Sequence, residues 1–372
     1  MKHFLQSTAT LIGMIVGVGV FGVPYVVAQV GFILGLVWIL GVGLLVLAVH
    51  LFYGEVVAAT PGKHRLPGYA GRYLGPHVKP IVAVTEVVSA WGAQIAYIIV
   101  GGYFLSLLFN GNGSFLFSTA IFIFVALVAL FGVRVLGKFE LWMTGLLLAV
   151  IVLIIGYGAP YVRVENLATM NLSLWSMPFG VILFALTGAS AIPEVFDLAR
   201  RRRRLFMQAV AWGSLVPVVV TAVFAWMVVG IGGANTTEAA LDGLQFILQP
   251  WVMKLGILFG FLAVITSYMV LALYMKELFA YDYRVKEFPA WLVGVCVPFF
   301  LFLAGARDFI AVIDLTGGIF TAFVGVVIPL AAIVVLRRHR HFSKWNWRII
   351  LAGVIAFIFT AIVLGKIVEL LL

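Results

Sequence analysis

Charge is what this sequence has least of. Only 10% of its 372 residues are Asp, Glu, Lys or Arg, against roughly 25% in an ordinary soluble domain. With 64% of residues apolar and a mean hydropathy of +1.18, a water-facing surface cannot be assembled, which excludes a soluble enzyme or binding module. No polar stretch is long enough to fold as a separate soluble domain. Cysteine is nearly absent: Cys296 stands alone in apolar sequence, so neither a disulfide framework nor a cysteine metal cluster is available. A cleavable leader is also not expected, because the first apolar segment lacks a small-residue cleavage site and runs almost directly into a second.

What the chain does have is long apolar runs. A helix needs about 20 such residues to cross a bilayer, and eleven segments qualify: 5–28, 32–58, 80–109, 115–134, 139–160, 174–197, 205–231, 251–277, 288–305, 309–336 and 347–370, called spans 1 to 11 below. All read as helices, since a strand barrel shows alternating segments of about ten residues. If the N-terminus is cytoplasmic, 20 of the 24 lysines and arginines fall on the cytoplasmic side and Leu372 lies outside. Arg163, Lys254, Arg307 and Lys366 are the exceptions. This asymmetry accounts for the net charge of +10 without nucleic acid. The run Arg200 to Arg204 is then a topology anchor near anionic lipid.

Span 1 contains "GMIVGVGVFGVPY", residues 13–25. Glycine costs about 1 kcal/mol and proline about 3 kcal/mol inside a helix. Gly13 and Gly17 have the spacing of a helix-packing face, but Gly17, Gly19, Gly22 and Pro24 fall on several faces, which points to an unwound segment. Non-helical backbone at membrane depth survives where it is buried in protein or lines a cavity. Span 6, "PFGVILFALTGASAIPEVFD", carries a second interruption at Thr187-Gly188 with Pro193 beyond. Two breaks five spans apart imply an inverted repeat, with residues 5–160 and 174–336 as the halves and 347–370 as an extra helix.

These residues carry a resemblance. "GMIVGVGVFGVPYVVAQVG" resembles the first helix of the amino acid–polyamine–cation transporter superfamily, which has the leucine-transporter (LeuT) fold. "FALTGASAIPEV" in span 6 and "DLTGGIFTAFVGVVIPL" in span 10 are most similar to its amino acid/auxin permease branch, which includes aromatic amino acid permeases and sodium-coupled neutral amino acid transporters. The resemblance implies an all-helical membrane transporter working by alternating access. Unwound helix ends attract a carboxylate at exposed N–H groups and a cation at exposed C=O groups. The resemblance places a substrate carboxylate near the amides of Val18, Gly19 and Val20, within a site that includes Gly17 and Phe21, and its ammonium near carbonyls of span 1 and of Phe184, Ala185 and Leu186, beside Thr187. Gln94 and Tyr97, one turn apart in span 3, are candidates to face that site, or to satisfy each other or a neighbouring helix. With no ionisable side chain in either break, a neutral, hydrophobic or aromatic amino acid is the expected substrate.

Thr266 and Ser267 in span 8 are adjacent hydroxyls in an apolar run, where bonding back to the preceding turn is the ordinary role. The resemblance implies instead a sodium site formed by Gly13, Val16 and Ala263 carbonyls with the Thr266 and Ser267 hydroxyls. Some proton-coupled relatives hold a lysine in span 5, and "LWMTGLLLAVIVLIIGYG" has none. Sodium is therefore the expected coupling ion and no other cofactor is expected. Proton coupling and an amino-acid-sensing receptor of the same fold are the alternatives. Asp314 reads as an outer gate, a proton carrier or a partner of Arg307. Glu55, Glu86, Glu194 and Asp197 read as a group at inner helix ends, and His50 as structural. The expected partners are a small amino acid and the lipid bilayer, with a monomer sufficient.

Overall fold

The computed structural model describes residues 2–109, 113–131, 136–240, 244, 248–340 and 346–371. Arg134 and Lys344, counted among the basic residues of the cytoplasmic side, and Leu372 lie outside them. Among the described residues every regular element is helical. Among the described residues nine helices are long and apolar enough to cross a membrane, and the bent pair Lys2–Ile15 and Gly19–Val30 supplies a tenth. The expected ninth span is the shorter apolar helix Glu287–Leu303.

Span 1 breaks where its glycines predict. Its halves meet at 52° around residues 16–18. Span 6 is interrupted too: Pro178–Leu186 ends at Thr187, whose backbone is extended, and the chain resumes helical form through Ala189–Ala191 and Ile192–Leu198. Spans 9 and 10 carry π-helical turns at Leu292–Cys296 and Thr316–Thr321, the kind of local widening often found at functional sites.

The broken spans lie at the centre. The first half of span 1 packs against spans 5 and 7 and the second half of span 6; the second half of span 1 packs against the first half of span 6. Spans 3 and 8 pack together, and span 11 packs on span 10. Small residues set the closest approaches. A Cβ on Gly317 in span 10 would fall 1.8 Å from the Gly180 carbonyl oxygen of span 6. One on Gly325 would fall 2.7 Å from the Phe359 ring of span 11. Gly31, at φ +92°, turns span 1 into span 2 beside the Thr169 carbonyl, where no side chain fits.

One face of the bundle is rich in ion pairs. Arg203 donates to both Glu55 oxygens at 2.5 and 2.7 Å, Arg348 reaches Glu55 at 3.4 Å, and Arg201 pairs with Asp197 at 3.2 Å. Part of the arginine run therefore bonds to protein as well as facing the interface. On the opposite face Asp314 does not pair with Arg307, one of the three readings open for it. Asp314 binds Lys366 of span 11 at 2.8 Å, while Arg307 lies over the rings of Phe115 and Phe302. Sequence distance concealed this partner: Lys366 arrives only because span 11 packs beside span 10.

Candidate functional site

Three cavities follow one another through the bundle. The central one, about 90 Å³, lies at the two helix breaks and is lined by Gly17, Val18 and Gly19 of span 1 and by Phe184, Thr187 and Gly188 of span 6. Span 3 contributes Glu86, Ser89, Ala90, Ala93 and Tyr97; span 8 contributes Leu271 and Tyr274; span 10 contributes Thr321. A vestibule of about 380 Å³ opens on the arginine-rich face, lined by Arg65, Glu194, Asp197 and Glu277 among others. Another of about 470 Å³ lies on the opposite face, beside Tyr25, Tyr103, Arg307 and Phe309.

The breaks expose backbone as expected, but their amides are not equivalent. The Val20 and Phe21 N–H groups donate to the Gly17 and Val18 carbonyls. Gly19 is held closely: a Cβ there would sit 2.6 Å from the Ala185 Cα and 2.9 Å from its Cβ. Gly19 thus lines the cavity while its Cα abuts span 6. Ala185 and Leu186 are buried and Val20 is 2% exposed; none of them lines the cavity. Phe21 turns away into an edge-on cluster with Phe104 and Phe224, at 4.9 and 6.0 Å between ring centres.

The two polar residues of span 3 part company. Tyr97 lines the cavity, hydrogen-bonds Ser267 and stacks on Tyr268 at 5.9 Å. Gln94 does not line it. Fully buried, it donates to the Gly294 carbonyl at 2.8 Å, satisfying backbone at the π-helical turn of span 9. At 3.6 residues per turn, Gln94 lies about 60° around the helix from Tyr97, enough to aim it at another neighbour.

His50 turns out to support the break in span 6. Its Nε2 accepts the Gly188 N–H at 3.1 Å, and its Nδ1 lies 2.8 Å from Ser214 Oγ, which itself donates to the Val210 carbonyl at 2.8 Å. Because the Ser214 hydrogen is committed to Val210, the ring must donate from Nδ1 and accept at Nε2, the neutral tautomer. A backbone amide freed by unwinding thereby finds a buried acceptor on span 2. Nothing in the local sequence of His50 reveals this, since Gly188 is 138 positions away.

A fourth cavity, about 60 Å³, lies between spans 1, 5 and 8 and is lined by Gly13, Thr144, Ala263, Thr266 and Ser267. That exceeds what one water molecule needs. Ser267 donates to the Gly13 carbonyl at 3.4 Å, and Thr266 to the Leu262 and Ala263 carbonyls at 3.0 Å each. Four of the five expected sodium ligands therefore meet around one space; Val16 does not line it. Hydroxyl and carbonyl oxygens suit a hard cation, so this donor set fits sodium.

The charged residues expected as one inner group separate. Glu55 and Asp197 are held in the ion pairs above, and Glu194 lines the vestibule. Glu86 instead lines the central cavity. A periodic stripe could have exposed it: Glu86, Ala90, Ala93 and Tyr97 follow helical spacing along one face.

The fold is that of known transporters. MhsT in complex with L-phenylalanine aligns with a TM-score of 0.72 at 15% identity, covering 98% of each chain. The manganese transporter of Eremococcus coleocola aligns at 0.66 with 14% identity, over 98% of this chain and 86% of that one. MHP1, a nucleobase-cation-symport-1 family transporter in a closed conformation with bromovinylhydantoin bound, aligns at 0.65 with 14% identity, over 93% and 80%. These likenesses establish the LeuT fold. No curated protein matches by sequence. Residues 1–370 match the tryptophan/tyrosine permease family, and the chain belongs to that family.

Proposed function

We propose that the protein is a secondary transporter of neutral aromatic amino acids, worked by alternating access and coupled to sodium. The observation that carries this reading is the central cavity at two helix breaks, in a chain of the tryptophan/tyrosine permease family. Structural kinship to a transporter bound to L-phenylalanine supports it. The amides of Val18 and Gly19 are the proposed carboxylate site, and the carbonyls ending the first half of span 6 the proposed ammonium site. The substrate ring lies against Phe184, Ala93 and Leu271.

Sodium is held by Gly13, Ala263, Thr266 and Ser267 and ties span 1 to span 8. Tyr97, bonded to Ser267, links the cation cavity to the substrate cavity. An ion that stabilises the binding-competent state raises apparent substrate affinity by linkage, typically by 1–3 kcal/mol. We also infer that the arginine-rich face is cytoplasmic, from the lysine and arginine asymmetry.

The test is uptake of labelled tryptophan, tyrosine and phenylalanine into proteoliposomes under an imposed sodium gradient, with choline replacing sodium as control. Sodium-dependent accumulation supports the reading. Failure to bind or exchange any aromatic amino acid overturns it, and accumulation indifferent to sodium overturns the coupling ion alone.

A further inference from the structure

One pair of hydroxyls in the central cavity is bonded only to itself. Ser89 of span 3 and Thr321 of span 10 both line the cavity, and their oxygens lie 3.2 Å apart. A helical serine or threonine ordinarily bonds back to a carbonyl of the preceding turn, as Thr85, Thr266 and Thr316 do. Among the described residues Ser89 and Thr321 make no such bond. Each hydroxyl has one hydrogen to give and two positions at which to accept. Joining the two leaves one hydrogen and several acceptor positions without a protein partner.

The pair lies one turn past the residues proposed to hold the substrate ring. On span 3, Ser89 comes four residues before Ala93, about 6 Å along the helix. On span 10, Gly317 abuts the first half of span 6, where a Cβ added to it would lie 3.0 Å from the Phe184 nitrogen. Thr321 follows four residues later and closes the π-helical turn of that span. The other polar side chains of the cavity are engaged or stand at the breaks. Tyr274 donates to Glu86 at 2.6 Å, Tyr97 is bonded to Ser267, and Thr187 and Ser190 belong to the interruption of span 6. Ala90, Ala93, Leu271 and Val324 give the cavity its apolar walls.

We propose that the Ser89–Thr321 pair reads the polar atom of the substrate ring, taking the phenol hydroxyl of tyrosine or the indole N–H of tryptophan. This deepens the transport reading above and rests on it. Backbone groups at the breaks meet only the carboxylate and ammonium that every amino acid carries, so they cannot tell one ring from another. A phenol hydroxyl both donates and accepts; it takes the spare hydrogen of the pair and fills one of its acceptor positions. An indole N–H only donates and uses an acceptor position alone. The phenylalanine ring uses neither. A site whose buried polar groups are left unpaired by the wrong ligand discriminates by about 10⁴- to 10⁵-fold. Here the two hydroxyls satisfy each other when the ring offers nothing, so the gain is that of about one net hydrogen bond, roughly 2- to 10-fold. A site of this kind admits all three aromatic amino acids and ranks them.

The experiment is equilibrium binding to the purified protein, with labelled phenylalanine displaced by tyrosine, tryptophan and 4-fluorophenylalanine, which fills the para position without a hydrogen to donate. Wild type should bind tyrosine about 2- to 10-fold more tightly than 4-fluorophenylalanine. Tyrosine binding that is equal or weaker overturns the proposal without recourse to any variant, so the test survives a variant that fails to fold. Ser89→Ala combined with Thr321→Val should cut the tyrosine-to-phenylalanine affinity ratio by about the same factor, and the tryptophan-to-phenylalanine ratio by no more than that. Each single variant should lose less than the double, because the remaining hydroxyl is released to serve the ring. Thr321→Ser keeps the hydroxyl and should keep the wild-type ratio. A ratio unchanged in the folded double variant, including the case in which every ligand weakens alike, overturns the proposal and marks the pair as a link between spans 3 and 10. Failure of wild type to bind any aromatic amino acid removes the transport reading and this inference together.

Discussion

Replacing His50 with leucine tests whether the break in span 6 is held open from outside. Wild-type His50 is fully buried and joins Gly188 of span 6 to Ser214 of span 7. Leucine removes the acceptor for the Gly188 N–H. A buried donor left without a partner costs about 1–3 kcal/mol. Ser214 loses less, because its hydroxyl still donates to the Val210 carbonyl. Gly188 cannot easily relax, since a Cβ on it would lie 2.5 Å from Ile15 of span 1, so neighbouring side chains already press on that turn. If the cost falls on the binding-competent shape of the break, affinity for tryptophan drops by about 5- to 150-fold, at 1.4 kcal/mol per factor of ten. His50→Gln is the rescue, because its amide offers one acceptor and donors for the same two partners. The assay is equilibrium binding of labelled tryptophan to purified protein, run beside thermal unfolding. The reasoning is refuted if a folded His50→Leu protein binds within twofold of wild type, or if glutamine is no better than leucine.

Thr266→Ala with Ser267→Ala removes both hydroxyls from the cation cavity; tryptophan affinity should lose its dependence on sodium without vanishing, as read by binding titrations at several sodium concentrations with choline as balance. Gly19→Ala should lower the melting temperature, because the added methyl lands 2.6 Å from the Ala185 Cα; an unchanged melting curve would show that spans 1 and 6 separate freely. Lys366→Ala leaves the half-buried Asp314 without its cation, which should lower the melting temperature, and adding Asp314→Asn should restore much of the lost thermal stability. Attaching an accessible cysteine at Asn235 should permit labelling only from the face opposite the arginine run, and labelling only from the arginine-rich side would overturn the span order.

Periodic properties were legible in the linear chain because they depend on neighbours close in sequence. Twenty-residue apolar runs, the positions of the two breaks and the asymmetry of basic residues all arise within one or two turns of backbone, where the weakness of glycine and proline in a helix acts directly. Even Glu86 was accessible in principle, through the stripe it shares with Ala90, Ala93 and Tyr97. What the chain could not disclose is which distant group each buried polar atom meets. Gln94 finds Gly294 and Glu86 finds Tyr274, partners 200 and 188 positions away. Asp314 finds Lys366 rather than nearby Arg307. Helical spacing says which side chains share a face, but the identity of the facing helix is set by how the spans pack. A buried polar atom must be satisfied by whatever that packing brings, so the partners belong to the tertiary structure alone.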